Sequence, residues 1–298
     1  MIITGKKFSK PTMSRVKNGD IVLPENSQPK ERIRLDMLLV ERHPEYNRST
    51  LQNFIKSGYV TVADKIIKKP NYEIVKDEIP KIILSVPERE IPEDIKKFLI
   101  YENDDVIVLN KPSGLLSMAK GEFTTEPTLE DYGLLVHRLD RDTSGVVILA
   151  KNEATQSFLR KQFQERKAHK TYYAIVDGRP KLDQAIINLP IARNLKYPTT
   201  FMVDPKGKPA ETFYKIVKTD GKHSLIELKP ISGRTHQLRV HLRYIGCPIV
   251  GDKVYNDKSK AGRLMLHASS LEITIPSEKG NVRKTFVAEL PTEFKEFF

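Results

Sequence analysis

Residues 145–150 read Gly-Val-Val-Ile-Leu-Ala, an apolar, β-branched run of strand length. The chain has to bury it. The segment that runs into it, His137-Arg138-Leu139-Asp140-Arg141-Asp142-Thr143-Ser144, is opposite in character. It sets one imidazole and two guanidinium groups around two carboxylates. Gly145 lets the backbone turn sharply where loop meets strand. A loop that presents charge at the mouth of a buried strand is a frequent place for a catalytic group, and Asp140 is the carboxylate expected to serve. Two other readings compete. In one, Arg138, Asp140, Arg141 and Asp142 form a solvated turn with surface ion pairs. In the other, Asp142-Thr143-Ser144-Gly145 resembles the Asp-Thr/Ser-Gly loop of aspartic proteases, whose chemistry needs two such carboxylates sharing a proton. The chain holds no second copy, so that reading is set aside short of a homodimer.

The 298 residues are enough for two domains and a sizeable core. Lys and Arg number 50 against 38 Asp and Glu, a net charge of +12. Such a balance suits a polyanionic partner, most often nucleic acid, although a basic surface kept for solubility would give the same count. Cys247 is the only cysteine, which excludes an intramolecular disulfide and a cysteine-based metal site and fits a reducing cytoplasm. No stretch is long and apolar enough to span a bilayer, and the N-terminus has no apolar signal-peptide core. The expectation is a cytoplasmic monomer without a membrane partner or metal.

Residues 1–31 are polar, with Pro11, Pro24 and Pro29, and read as an arm whose Lys6, Lys7, Lys10, Arg15 and Lys17 either touch a polyanion or are simply solvated. A small domain is expected over residues 32–79. Ile33, Leu35, Leu38 and Leu39 suit one face of a short helix. Arg48 opens a second helix, with Ser49 as N-cap and Gln52 completing a capping box. Leu51, Phe54 and Ile55 form its stripe, and Gly58 is its stop. Strands are expected at Tyr59–Val62 and around Tyr72–Val75, the first ending in a tight Ala63-Asp64 turn. Between Arg32 and Pro70 there are eight Lys/Arg and four Asp/Glu. Arg34, Arg48, Lys56 and Lys69 are candidate phosphate contacts, or a solvated helix face. Residues 80–94, with three prolines, read as a linker.

The second domain is expected over residues 95–298. A strand at Asp105–Leu109 ends in the turn Asn110-Lys111-Pro112-Ser113-Gly114. Met118–Tyr132 carries little pattern. Asn152 should cap a helix to about Gln164, with Ala154, Phe158, Leu159 and Phe163 inward. Lys170–Val176 alternates as a strand with Tyr172, Ala174 and Val176 on one face. Glu211–Val217 and Ser224–Leu228 make a hairpin around Asp220-Gly221. Gly233 then breaks the chain before a helix to about Ile245. Its apolar face is Leu238, Leu242 and Ile245, with Arg239 beside it, able to reach into a cleft. His236 and His241 are five apart, off a common face and without zinc-helix spacing, and read as structural. Leu264–Ala268 and Leu271–Ile275 add a core segment and a strand.

Several of these stretches together resemble the motifs of the RluA-like pseudouridine synthases. They are 137–145, Lys170-Thr171-Tyr172, Gly233–His241, Leu264–Ala268 and the opening motif Asn110–Leu115. The likeness runs from about Glu102 to the C-terminus in the family's order. Residues from about Arg32 to Ile79 resemble the α-L RNA-binding module first seen in a small-subunit ribosomal protein, with Ala63-Asp64 in place of the usual Asn-Gly. A second departure is the stretch after Leu116, which lacks the family's His-Pro pair and bears on an RNA-facing loop. The resemblance implies an α+β protein, in which a mixed, largely antiparallel sheet with flanking helices follows the small domain. It implies conversion of uridine to pseudouridine in RNA without a cofactor. Asp140 matches the essential aspartate, either attacking the sugar or assisting glycal formation. Tyr172 matches the tyrosine that stacks on uracil, and Arg239 the arginine that pairs with the aspartate. Arg138 matches the residue that fills the space the base leaves, and Arg141 lies beside it as a further RNA contact. By analogy the substrate is 23S-type ribosomal RNA. A catalytically silent ribosomal-RNA-binding or ribosome-assembly factor on the same fold is the alternative. A nucleoside-processing enzyme that needs no RNA is disfavoured by the basic small domain.

Overall fold

The computed structural model describes residues 31–75, 82–84, 95–119, 126–259 and 261–298. The chain divides into two compact units, Met1–Val86 and Pro87–Phe298. No helix among the described residues is long and apolar enough to cross a membrane.

In the N-terminal unit, the helices Leu35–Arg42 and Arg48–Ser57 pack through Leu35, Leu38, Leu39, Leu51, Phe54 and Ile55, all buried. Ile33, expected on the first helix, instead sits in the strand Arg32–Arg34, opposite Ile74. The second helix is capped by Asn47, whose side chain accepts from the Thr50 amide at 3.0 Å, and not by Ser49. Gln52 completes no capping box. It donates to Asp36 Oδ2 at 2.7 Å. Arg34 Nε and Arg48 Nη2 also reach this buried carboxylate, each at 2.9 Å, so Asp36 ties the two helices together. Burial opposes its charge, but the bonds from Arg34, Gln52 and Arg48 hold it well below the usual carboxylate range.

Ala63 and Asp64, with φ of +49° and +61°, make the tight turn between the strands Val60–Val62 and Lys65–Ile66. Ile82–Leu84 pairs with Val60–Val62 as a third strand, although it lies in the stretch expected to be linker. The N-terminal unit therefore runs past Ile79. The arm 1–30, Asp77–Ile79 and the rest of the expected linker lie outside the described residues.

The second unit is built on one sheet. Its strands run in the spatial order Gln184–Asn188, Glu211–Thr219, His223–Pro230, His169–Asp177, Leu266–Ile275, Ser144–Ala150, Val106–Lys111 and Leu99–Glu102. Val282–Val287 pairs with Leu266–Ile275, and Leu134–Leu135 with Ser144–Ala150. All these pairings are antiparallel except that of Ser144–Ala150 with Leu266–Ile275. That strand joins the segments expected separately at Leu264–Ala268 and Leu271–Ile275.

Ser144–Ala150 is buried at every position. Gly145 has φ +114°, and a Cβ there would lie 2.1 Å from the Ala268 carbonyl oxygen, so only glycine lets the two central strands meet. The helix Glu153–Gln164 covers one side, with Asn152 capping it and Leu159 buried. Ala154, expected inward, is exposed, and Thr155 turns in instead to bond Asp105 at 3.0 Å. The helix Gln237–Tyr244 packs Leu238 and Leu242 against Ala174, Val176, Ile226 and Leu228. Each fully buried Leu or Ile contributes roughly 2 kcal/mol of transfer free energy.

Candidate active site

The polar loop before Gly145 is held from below by the segment Lys111–Ser117. Lys111 is wholly buried, and its ammonium donates to the carbonyl oxygens of Pro112, Leu115 and Arg141 at 2.9, 2.8 and 2.8 Å. Burial lowers its pKa to about 7, against the opposing pull of Asp142 and Asp140. Ser117 Oγ donates to the Leu139 carbonyl at 2.7 Å and accepts from the Leu139 amide at 3.1 Å. Ser113 bonds the Asp142 carbonyl at 2.8 Å. The backbone on both sides of Asp140 is thus fixed by side chains.

Across the cleft, the helix Gln237–Tyr244 presents Arg239. Its Nη1 lies 3.3 Å from Asp140 Oδ2. Its Nε and Nη2 lie 2.7 and 2.8 Å from the two oxygens of Asp252, a buried carboxylate that also accepts from the amides of Val254 and Tyr255. The guanidinium stacks over the Tyr255 ring at 5.1 Å. Burial works against its charge, yet Asp252 and Asp140 make it more basic than usual. Asp252 follows Gly251, where φ is +74° and a Cβ would lie 1.8 Å from the Arg263 carbonyl oxygen.

Asp140 and Arg239 line a cavity of about 480 Å³, with Arg138, Phe163, Lys170, Tyr172 and His236 among its walls. Tyr172 stands where the register between His169–Asp177 and Leu266–Ile275 shifts, an irregularity of the kind that re-aims side chains at active sites. Burial and the charge of Asp140 push its phenol pKa up, so it keeps its proton at neutral pH. His137 stacks on Phe163 at 4.6 Å and accepts from the Ile148 amide. Burial, aided by Lys170, lowers its pKa to about 3, so it is neutral. Burial also lowers the pKa of Lys170. A carboxylate fixed by a guanidinium beside an aromatic face can act as an anion or nucleophile on a planar ring and its sugar.

Comparison with known proteins shows the family. The family model described as RNA pseudouridylate synthase matches residues 105–244, and the S4 domain model matches residues 33–79. An RNA pseudouridine synthase of Aquifex aeolicus, itself uncharacterised, is 36% identical over 78% of this chain and 79% of its own length. The ribosomal large subunit pseudouridine synthase D of Borreliella burgdorferi is 35% identical over 96% of this chain and 93% of its own. The chain belongs to the RluA-like RNA pseudouridine synthases. Ribosomal large subunit pseudouridine synthase C of Vibrio vulnificus is 31% identical over 82% of this chain and 85% of its own. The solved human RNA pseudouridylate synthase domain containing 4 shares the fold. It has a TM-score of 0.56 at 24% identity, over 67% of this chain and 91% of that one.

In this pseudouridine synthase the residues singled out from the sequence separate into groups. Asp140, Tyr172, Arg239 and Arg138 come together at the cavity. Arg138 is exposed there, with Nη1 3.6 Å from Met118 Sδ. Arg141 points elsewhere, to the Gly114 carbonyl at 3.0 Å and Glu126 at 3.2 Å. Arg34 and Arg48 bind Asp36 in the N-terminal unit with their guanidinium groups half exposed, while Lys56 and Lys69 are exposed. The pairing of Arg239 with Asp140 is a single bond, the forked pair being made with Asp252. Asp252 escaped sequence reasoning. Its one signal is an acid placed just after a glycine that ends the apolar run Ile249-Val250. His241 is structural as expected, buried against Thr212 and the Leu189 carbonyl. His236 bonds the Tyr255 hydroxyl and also lies 3.9 Å from Asp140.

Proposed function

We propose that this chain isomerises uridine to pseudouridine in large-subunit ribosomal RNA, as a cytoplasmic monomer, with Asp140 as its essential carboxylate. The observation that carries the reading is the carboxylate held by Arg239 in a cavity walled by Tyr172. The cavity, at about 480 Å³, has room for one nucleotide drawn out of a folded RNA. Tyr172 stacks on the uracil, and its phenol, protonated at rest, takes up the carbon 5 proton only as it passes its own on to another acceptor. Arg138 fills the gap left in the RNA. In the reaction the bond from N1 to C1′ breaks, the ring turns, and C5 joins C1′, the C5 proton leaving as N1 regains one. Asp140 acts either on C1′ as nucleophile or in forming a glycal, and both routes use its charged form.

The S4 domain supplies the grip on folded RNA, with Arg34, Arg48, Lys56 and Lys69 at phosphates and Arg141 as a further contact at the edge of the catalytic loop. The curated relatives named for large-subunit synthesis support the choice of RNA. A catalytically silent ribosome-assembly factor would have no use for a charged carboxylate in a nucleotide-sized cavity. Asp140→Asn is the test. Tritium release from RNA labelled at carbon 5 of uridine should stop, while filter binding of the same RNA stays within a few-fold. Turnover near wild type would refute the assignment. Mapping pseudouridine in ribosomal RNA with and without the gene tests the substrate.

A further inference from the structure

His236 was expected to be structural, and it also stands beside Asp140. It sits where the chain enters the helix Gln237–Tyr244, with φ +56°, the left-handed region that a non-glycine residue seldom adopts. Its ring is wedged edge-on between Phe201 and Tyr255, with centroids 5.5 Å away on each side. Nδ1 lies 2.9 Å from the Tyr255 hydroxyl, and Nε2 lies 3.9 Å from Asp140 Oδ2.

The partners of the two ring nitrogens favour one tautomer. The Tyr255 oxygen accepts from the Phe201 amide at 2.8 Å. Its own proton is then available for the other close partner, His236 Nδ1. The Tyr255 oxygen has a lone pair left for the other arrangement, and it is Asp140 beside Nε2 that favours the N–H there and leaves Nδ1 to accept. The opposite tautomer would turn a nitrogen lone pair onto a carboxylate. The charged groups around the ring are Asp140, Arg239, Asp252 and Arg138. Burial, with Arg239 and Arg138, outweighs the two acids, so the imidazole is neutral at pH 7.

We propose that His236, as the Nε2–H tautomer, is a positioning residue that aims Asp140 for reaction. Arg239 and His236 both address Oδ2, and Oδ1 has no partner among the described residues. Oδ2 is therefore the anchored oxygen and Oδ1 the one offered to the ribose. The 3.9 Å approach closes to a hydrogen bond when a substrate fills the cavity and excludes water. This rests on the reading of Asp140 as the essential carboxylate.

The test uses the full chain, with His236→Gly and His236→Asn, two residues that accept the same backbone region. Both lose the Nε2 donor. Single-turnover rates should fall on the order of 10- to 100-fold, with RNA affinity within about threefold. His236→Gln, which restores an N–H near the lost one, should recover part of the rate. Wild-type rates in His236→Gly, beside a dead Asp140→Asn, would overturn the proposal and leave the function standing. A slow His236→Gly with no rescue by Gln would also overturn it, since that is a merely structural role. An active Asp140→Asn would bring down the function itself.

Discussion

Arg239 lies edge-on to Asp252, Nε 2.7 Å from Oδ2 and Nη2 2.8 Å from Oδ1, and meets Asp140 only through Nη1 at 3.3 Å. The buried Asp252 therefore sets the direction in which the guanidinium points. Asp252→Asn should reduce turnover at least tenfold without touching substrate. Breaking a buried pair should also cost about 3 kcal/mol of stability. Arg239→Lys should be impaired as well, because one ammonium cannot serve two carboxylates in a plane. Chemical denaturation and single-turnover rates on the two variants check this. Full activity in either would show that the fork is dispensable.

Tyr172→Phe keeps the ring that faces the cavity and removes a hydroxyl that burial and Asp140 keep protonated. Turnover should drop by about 100-fold or more, the scale of a lost proton-transfer group. RNA affinity should barely change. Equal loss of affinity and rate would instead make the hydroxyl a binding group.

Lys111 gives a pH dependence with a definite sign. Its pKa in the folded chain is about 7, lowered by burial, and in the unfolded chain it is near the ordinary lysine value of about 10.4. Between these limits the unfolded state binds more protons, so stability rises with pH. Wild type measured against Lys111→Met should gain up to roughly 1.4 kcal/mol per pH unit from about pH 7 to pH 10. Urea titrations at pH 7, 8 and 9 read the difference directly. A flat difference would mean that the three carbonyls hold the charged form throughout.

Phosphate gripping by the S4 domain is best tested at Lys56 and Lys69. Arg48→Glu would set a second carboxylate against buried Asp36 and test the fold instead. Both lysines are exposed. The double change to Glu should weaken RNA binding and flatten the plot of log affinity against log salt by roughly 0.7 to 0.9 per lost contact. An unchanged slope would make this face merely solvated.

The loop that holds Asp140 was legible as charge feeding an apolar strand, whereas Tyr172 was singled out only by the family's motifs, its alternation marking no more than a strand. Arg239 was legible as a helix position beside an apolar face. Asp252 and His236 were not. Asp252 acts from a turn, where no periodicity singles out a residue. The placing of His236 depends on a backbone angle and on Tyr255, which is 19 positions away. The Ser49–Gln52 spacing suggested a capping box, but Asn47 started the helix earlier and Asp36 drew Gln52 away. The strand Ile82–Leu84 was hidden by prolines that stand at 80 and 87, just outside it.

The meeting of Ser144 and His267, 123 positions apart at 2.8 Å, sits on the one parallel seam of the sheet. Asp140 and Arg239 face each other across 99 positions. Contacts this distant in sequence close late, since the chain's entropy must be lost before they reward it. Hairpins such as Glu211–Pro230 can form while the seam is still open. On refolding, far-ultraviolet dichroism should therefore recover before turnover does. Catalysis is then a readout of complete assembly, and a half-folded chain has sheet but no enzyme.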